Sequence, residues 1–335
     1  MQKKTWSIYC FVMMLILMLA CIASPAVQTP ASATLIPTNL TTVPPSASPV
    51  IATVSTESSS SPTVRPGTYS ETIQSGGQQR EYIIHIPPNY NGVTAMPLVF
   101  LLHGVGGSDK QMEGSGMSLK ADQENFIVVY PNGTGDPRGF NDVIFPQPVT
   151  TVDDIGFFRD MISRFEQRLR VDPKRIYVAG FSNGALFTYQ LGAELTGQLA
   201  AIAIVEGSIG THEGGSSLVI PEPSGPLPVV IFHGEKDTTV PYNGGLSVGL
   251  LKLNFFSVDD ALAFWNKNDG CTQPPTKQTL YNGKVLTEDF QGCTAGSEVL
   301  LYTIVNGVHE WPSINDHAGF SGTDAIWDFF SKHSR

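Results

Sequence analysis

Short apolar runs alternate with amphipathic segments over most of the chain after residue 67. The runs in the middle of the chain are continuously apolar, which is typical of strands covered on both faces of a sheet. The predicted strands are Tyr82–Ile86, Pro97–Leu102, Phe126–Tyr130, Ile176–Ala179, Ala201–Val205, Val229–Phe232 and Val299–Ile304.

Helical periodicity fills several of the intervals between these runs. One apolar face recurs at alternating steps of three and four residues, at Ile155, Phe158, Ile162, Phe165 and Leu169. Further helices are predicted directly after Ser182, over about Val258–Asn266 and over about Thr323–Lys332. This alternation predicts an α/β fold with a mostly parallel central sheet and helices on both faces.

The first 66 residues follow a different pattern. Within residues 1–26, Lys3 and Lys4 precede an apolar run, which is typical of an export signal and short for a membrane span. Residues 27–66 are rich in Ser, Thr and Pro and lack periodicity, which predicts a disordered linker. The predicted folded domain therefore spans residues 67–335.

Two outcomes are open at the end of the signal. Met18-Leu19-Ala20-Cys21 resembles a bacterial lipoprotein box, in which Cys21 becomes a lipidated N-terminus that anchors the chain to a membrane. Cleavage after Ala23 or Ala26 would instead release the protein. Both outcomes predict an exported protein, either secreted or a cell-surface lipoprotein of a bacterium.

Cys271 and Cys293 are the cysteines outside the N-terminal segment. Because an exported chain meets an oxidising compartment, we predict that they form one disulfide, the alternative being two free thiols. The bridge is expected to contribute about 3 kcal/mol of stability.

Composition narrows the range of partners. The 335 residues are 41% hydrophobic and 15% charged, which suits a globular core. The net charge of −10 argues against nucleic acid as a partner. No metal-ligand spacing or dinucleotide fingerprint is present in the sequence, so no metal and no cofactor is predicted.

The candidate nucleophile is Ser182 in Gly180-Phe181-Ser182-Asn183-Gly184. A second serine, Ser247, has the same glycine spacing but follows a turn-rich loop. Only Ser182 lies between a predicted strand and a predicted helix, as a nucleophile elbow requires.

A serine nucleophile needs a general base and an acid that orients it, in the chain order serine, acid, histidine. Asp237 lies just beyond a predicted strand and is the candidate acid, with Glu235 as its competitor. His309 follows the last predicted strand and is the candidate base, with His317 as the second choice. His85, His103 and His333 are disfavoured by their positions.

Two backbone N–H groups are expected to form the oxyanion hole. One is that of Asn183, and the other is that of Val105, with Gly104 as the alternative in the same glycine-rich loop. Trp311 is expected beside the reacting centre, where it could stack on a sugar ring or a phenolic acyl group, or else simply fill a crevice.

Several segments in order carry a family resemblance. They are Leu101–Gly104, Tyr130–Gly133, Val152–Phe157, Gly180–Gly184, His233–Tyr242 and His309–Pro312. Over about residues 67–335 the chain resembles the polyhydroxybutyrate depolymerase and feruloyl or acetylxylan esterase relatives among the α/β-hydrolases. It departs from them at Phe140-Asn141-Asp142, where a Trp is common, and at Gly307-Val308, where more glycine is usual.

The resemblance implies a serine esterase that acts on polymeric or oligomeric esters outside the cell. The substrate would be a feruloyl or acetyl ester of plant polysaccharide, or a polyhydroxyalkanoate-type polyester. Two alternatives are a tethered carbohydrate-binding or scaffold protein on a hydrolase fold, and a serine peptidase of the same fold. The triad residues in the required order argue against the first, and the lack of a large cap segment argues against the second.

Overall fold

The structure, a computed structural model, describes residues 64–145, 150–248 and 252–335. The predicted export signal, Cys21 and the linker up to residue 63 lie outside the described residues. Within those ranges, no helix has both the length and the apolar character needed to cross a membrane.

The described ranges contain fourteen β-strands, six α-helices and two short 3₁₀-helices, the latter at Tyr281–Gly283 and Thr294–Gly296. The strands are β1 Gly67–Ser75, β2 Gln78–Ile86, β3 Met96–Leu102, β4 Ile127–Pro131, β5 Val171–Phe181, β6 Ala201–Val205, β7 Gly210–Glu213, β8 Ser216–Val219, β9 Val229–Gly234, β10 Gly245–Leu246, β11 Asn254–Phe255, β12 Thr276–Leu280, β13 Val285–Phe290 and β14 Val299–Ile304. The helices are α1 Asp109–Glu113, α2 Met117–Glu124, α3 Asp154–Arg168, α4 Asn183–Glu194, α5 Val258–Asp269 and α6 Gly322–Phe330.

Ten strands form one sheet in the order β1-β2-β4-β3-β5-β6-β9-β14-β13-β12. The central strands, from β4 to β14 in that order, pair in parallel. The two strands at each end of the sheet pair antiparallel. The mostly parallel sheet predicted from the apolar runs is therefore confirmed, and all seven predicted strands belong to it.

Hydrophobic clusters cover both faces of this sheet, because side chains of a strand alternate between its faces. In β3, Leu98 and Phe100 join a cluster with helices α3, α4 and α5. Val99 and Leu101 join a second cluster with α2 and α6. This confirms the predicted helices on both faces of the sheet.

Local sequence explains where the predicted helices begin. Asp153 caps α3 by accepting a hydrogen bond from the Gly156 N–H at 2.7 Å. Ser257 and Asp260 form a reciprocal capping box at the start of α5. That helix ends at Asp269 and is capped by Gly270, whose φ of 65° is a left-handed conformation that favours glycine.

The structure adds strands that the hydrophobic pattern does not predict. In the main sheet these are β1, β12 and β13, which lie at or near its ends. A separate four-stranded sheet has the order β10-β11-β7-β8. The side chains of β12 are almost entirely exposed, so this strand lacks the apolar run that marks a covered strand.

Cys271 and Cys293 form the predicted disulfide, with a sequence separation of 22 residues. The bridge joins the segment that follows α5 to the loop between β13 and β14. It thus closes a loop that contains β12 and β13, the antiparallel strands at this end of the sheet.

Removal of this bridge is expected to lower the free energy of unfolding by about 3 kcal/mol, because the unfolded chain gains the freedom of an open loop. The test is urea unfolding of the Cys271→Ser/Cys293→Ser double variant beside the oxidised wild type. The reduced wild type is the control, and it should unfold at the same urea concentration as the double variant. Equal midpoints for the oxidised wild type and the double variant would contradict the prediction.

Candidate active site

The strand–serine–helix elbow predicted at Ser182 is present. Strand β5 ends at Phe181, and α4 begins at Asn183. Ser182 between them has φ 57° and ψ −123°, a left-handed φ that is strained for a residue with a side chain. Its N–H donates to the Val205 carbonyl at 3.0 Å, which holds the turn against β6.

Glycines on either side of Ser182 allow the backbone to approach closely. A Cβ on Gly184 would lie 2.6 Å from the His103 carbonyl oxygen and 2.7 Å from that of Leu102. A Cβ on Gly180 would collide with the Gly184 carbonyl. Gly184 is therefore required by the packing of the elbow on the end of β3, and Gly180 by the tight turn of the elbow itself.

Gly184→Ala is expected to lower the free energy of unfolding by about 1–3 kcal/mol, because rigid backbone of β3 would have to shift. The matched control is Gly197→Ala, since a Cβ there meets no atom within 4 Å. Urea unfolding compares the two variants. The prediction is wrong if they are equally stable.

Ser182, His309 and Asp237 form one hydrogen-bonded line. The Ser182 Oγ lies 2.9 Å from His309 Nε2, and His309 Nδ1 lies 2.7 Å from Asp237 Oδ2. Because a carboxylate only accepts, His309 carries its hydrogen on Nδ1 and leaves Nε2 free to accept the serine proton. This is the tautomer that a general base needs.

Strand ends hold the acid and the base in place. Asp237 follows β9, and His309 follows β14, the strand that pairs in parallel with β9. The two loops touch, since the Lys236 N–H donates to the Gly307 carbonyl at 2.8 Å. Because the carboxyl ends of parallel strands share one edge of the sheet, residues 72 positions apart meet there.

Asp237 is buried, and its environment favours the ionised form. Its Oδ1 accepts hydrogen bonds from the N–H groups of Thr239 at 2.7 Å and Val240 at 3.0 Å. Burial raises the pKa of Asp237, but its interactions with His233 and His309 outweigh burial and bring the pKa far below its usual value. A negative charge therefore faces His309.

The competing candidates lie in other environments. Ser247 Oγ accepts from the Leu253 N–H at 3.0 Å, and Glu235 accepts from the Asn306 N–H at 3.1 Å. His317 pairs with Glu310 at 2.6 Å. His85 lies between Thr68 and Asp122, and His333 lies 3.0 Å from Glu298. These interactions place them outside the hydrogen-bonded line.

The predicted oxyanion loop borders Ser182. Gly104, Val105 and Asn183 line the same cavity as Ser182 and His309. A Cβ on Gly104 would lie only 3.0 Å from the Ser182 Cβ. Asn183 is the first residue of α4, where backbone N–H groups lack partners within the helix.

His103, whose position before the nucleophile disfavours it as the base, is buried and fixes this loop. His103 Nδ1 donates to the Gly104 carbonyl at 2.7 Å, and Nε2 accepts from the Gly133 N–H at 2.9 Å. Burial lowers the pKa of His103, which keeps the ring neutral in this arrangement. His103 thus ties the loop after β3 to the segment after β4.

The Asn183 side chain links the elbow to the segment 140–145. It donates to the Phe140 carbonyl at 3.1 Å and to Asp142 Oδ2 at 2.6 Å, and it accepts from the Phe140 N–H at 2.8 Å. Asp142 Oδ1 accepts from the N–H of Ile144 at 2.9 Å, and burial raises the Asp142 pKa to about 7. This network lies at the predicted departure from the family pattern.

A cavity of about 320 Å³ opens beside Ser182. Its walls are mainly apolar, and the apolar side chains come from six residues: Val105, Phe145, Phe181, Leu186, Val240 and Phe255. The remaining lining residues are Gly104, Gln111, Ser182, Asn183, Thr239 and His309. The arrangement can hold an apolar group next to the serine hydroxyl.

Trp311 lies elsewhere. Its indole N–H donates to Thr323 Oγ1 at 3.3 Å, and the ring packs against the cluster that contains α6. It is absent from the residues that line the described cavity. Its contact with substrate stays a prediction.

One group of side chains in the described ranges has donor atoms close enough for a metal ion. The group is Glu206, His233 and Asp237, whose donor atoms lie within 4.8 Å of one another. Two of these atoms already have other partners, since His233 Nε2 lies 2.8 Å from the Val240 carbonyl and Asp237 Oδ2 faces His309. The group therefore suits a hydrogen-bond network better than a metal centre.

The sheet order and the elbow give the chain a fold of the α/β-hydrolase type. Residues 80–220 match the family described as Esterase PHB depolymerase. The match includes the predicted oxyanion loop and Ser182, and it confirms the predicted family resemblance.

Two curated relatives and one solved structure extend the comparison. The chain is 33% identical to feruloyl esterase B of Piromyces equi over 235 residues, covering 69% of this chain and 42% of that protein. It is 26% identical to feruloyl esterase C of Emericella nidulans over 271 residues, covering 77% of this chain and 87% of the relative. It superposes on an acetyl xylan esterase from Aspergillus awamori with a TM-score of 0.58 at 14% identity, covering 79% and 99% of the two chains. The chain thus spans less than half of the Piromyces protein, and the structural likeness shows the fold.

Proposed function

We propose that this protein is a serine carboxylic-ester hydrolase with Ser182, His309 and Asp237 as its catalytic triad. The observation that carries the proposal is the line of hydrogen bonds, 2.9 Å and 2.7 Å long, from Ser182 Oγ through His309 to Asp237. This line lies at the wall of an apolar cavity. A binding or scaffold protein would have no use for a serine hydroxyl aligned in this way.

The geometry supports a two-step acyl transfer. Ser182 Oγ attacks the ester carbonyl while His309 Nε2 takes its proton, and Asp237 stabilises the resulting imidazolium. The oxyanion accepts hydrogen bonds from the N–H groups of Asn183 and Val105. His309 then gives its proton to the leaving alcohol, and water hydrolyses the acyl-enzyme by the same route.

The cavity favours an aromatic acyl group. Its volume of about 320 Å³ falls in the range of pockets that hold drug-sized ligands, so an acetyl group would leave most of it unfilled. Phe145, Phe181 and Phe255 offer ring faces and edges to a planar acyl chain. Together with the two feruloyl esterase relatives, this supports hydroxycinnamoyl esters of plant polysaccharide as the substrate class.

A polyhydroxyalkanoate-type polyester is the second candidate substrate. The description of the matching family, Esterase PHB depolymerase, favours it. A hydroxyalkanoate ester would need the same triad and oxyanion hole, so the two candidates differ only in how the acyl group fills the cavity.

Methyl ferulate, p-nitrophenyl acetate and a 3-hydroxybutyrate oligomer separate these substrates when they are given to the full-length protein. We expect kcat/KM for methyl ferulate to exceed that for the hydroxybutyrate oligomer by about tenfold or more, because only the aromatic group fills the cavity. The reverse order would support the polyester. No turnover of any of the three would contradict the esterase proposal.

Export from the cytosol is part of this proposal. The disulfide supports an oxidising compartment, since such bridges persist mainly outside the cytosol. The lipid anchor at Cys21 rests on the sequence pattern alone, because that residue lies outside the described ranges. Labelling with a fatty-acid analogue, compared between the wild type and Cys21→Ser, tests the anchor.

A further inference from the structure

Glu206 is a fully buried carboxyl group beside the triad. It follows β6 directly, has 0% exposure and adopts a left-handed φ of 56°. Its N–H donates to the Phe232 carbonyl at 3.0 Å, which fixes this conformation. Burial of an ionisable side chain costs free energy unless its surroundings compensate for the loss of water, and a strained backbone conformation adds to that cost.

Few hydrogen-bond donors face the carboxyl group of Glu206. Both of its carboxyl oxygens share the N–H of Gly234, at 3.1 Å and 3.2 Å. Asp237, by contrast, accepts from two backbone N–H groups and from His309. The donors therefore favour the negative charge on Asp237 over Glu206.

The neighbouring groups add no positive charge that would compensate a second carboxylate. His233 Nε2 lies 3.4 Å from Glu206 and 3.5 Å from Asp237, but it donates its hydrogen to the Val240 carbonyl at 2.8 Å. His233 Nδ1 is buried and has no partner among the described residues, so a second proton on this ring would be left unsatisfied. The remaining charged group that acts on Glu206 is Glu310, which is also acidic.

Two carboxyl groups in such a site cannot both be ionised at neutral pH. Their oxygen atoms lie within 4.8 Å of one another and are shielded from water. Burial and the nearby Asp237 both raise the pKa of Glu206 well above its ordinary value. Burial, the few donors around Glu206 and the closeness of Asp237 therefore favour the proton of the pair on Glu206.

We propose that Glu206 is a positioning residue, which keeps its proton, donates a hydrogen bond to Asp237 and leaves Asp237 as the single negative charge that faces His309. The inference rests on the proposed function. Glu206 acts through Asp237, since it does not line the cavity next to Ser182. Because neutral Glu206 would donate a hydrogen bond to Asp237, it would make Asp237 less basic without placing a second negative charge in the site.

Two variants of the full-length protein separate this role from simple packing. Glu206→Gln keeps an oxygen that accepts from Gly234 and an N–H that donates to Asp237, whereas Glu206→Leu keeps neither. We expect Glu206→Leu to lower kcat about ten- to hundredfold with KM changed less than about twofold. Glu206→Gln should restore most of the lost kcat. Equal losses in the two variants would overturn the proposal.

The pH profile of kcat/KM reports whether Glu206 is neutral or ionised. Because Glu206→Gln replaces a neutral group with a neutral group, the midpoint of the acid limb should stay within about 0.3 units of the wild type. If Glu206 were ionised, removal of its charge would lower that midpoint by about one unit, and the proposal would be wrong.

An infrared difference spectrum gives a readout that does not depend on activity. The wild type minus Glu206→Gln, recorded at pH 7, should contain the C=O band of one protonated carboxylic acid. A carboxylate band in its place contradicts the inference even if the protein hydrolyses esters. Conversely, the acid band together with no ester turnover would refute the proposed function and leave the protonation of Glu206 standing. If Glu206→Leu fails to fold, the pH profile of kcat/KM and the infrared spectrum of Glu206→Gln still test the proposal.

Discussion

Replacing Ser182 with alanine is expected to lower kcat for ester hydrolysis about a million-fold, because the nucleophile is lost while the elbow backbone is kept. Substrate binding should change little, since the cavity walls come mainly from other residues. Fluorophosphonate labelling of the wild type should map to Ser182 and disappear in the variant. Urea unfolding should show that the variant stays folded.

Ser247 provides a matched control within the same chain. It has the same glycine spacing as Ser182, but it belongs to a loop in which its Oγ accepts from the Leu253 N–H. Ser247→Ala should therefore keep kcat within about twofold of the wild type. Retention of more than about 1% of kcat in Ser182→Ala would contradict the assigned nucleophile.

Asp237→Asn is expected to lower kcat about ten-thousand-fold with KM nearly unchanged. The Oδ1 position accepts from the N–H groups of Thr239 and Val240, so the asparagine oxygen must stay there. Its NH₂ group then faces His309 Nδ1 and donates to it. Because this forces the hydrogen of His309 onto Nε2, the ring can no longer accept the serine proton.

Glu235→Gln is the control for this change, since Glu235 is the competing acid two positions earlier in the chain. It accepts from the Asn306 N–H at an exposed site, and its variant should lose less than about threefold in kcat. A large loss in Glu235→Gln beside a small loss in Asp237→Asn would reverse the assignment of the acid. Steady-state kinetics with the preferred ester decides.

Much of the fold was predictable because the central strands are apolar on both faces. A strand such as β6 consists wholly of apolar residues and is buried throughout, so its sequence reports its position in the sheet. Strand β12 is polar and exposed, and only its pairing with β13 makes it a strand. β13 follows directly after the turn at residues 281–284, so the two strands form a hairpin, but the polar and exposed residues of β12 lack the apolar pattern that would predict a strand there.

The candidate site likewise contains residues that could be predicted from the sequence and residues that could not. Ser182, Asp237 and His309 follow apolar strands in a fixed chain order, so their positions at one sheet edge could be inferred. Glu206 and Asp142 gave no such signal, because their importance comes from burial against residues 31 and 41 positions later. The identity of an acidic residue in the sequence does not report whether the fold buries it.

Asn183 links two properties that protein engineers usually alter separately. Its backbone N–H is the proposed oxyanion donor, and its side chain holds Phe140 and Asp142 in the segment that ends at the cavity wall. Exchange of this segment to accept a different acyl group would therefore also disturb transition-state stabilisation. Selectivity should be easier to alter through Val240 or Phe255, which line the cavity without contacting the Asn183 side chain through a hydrogen bond.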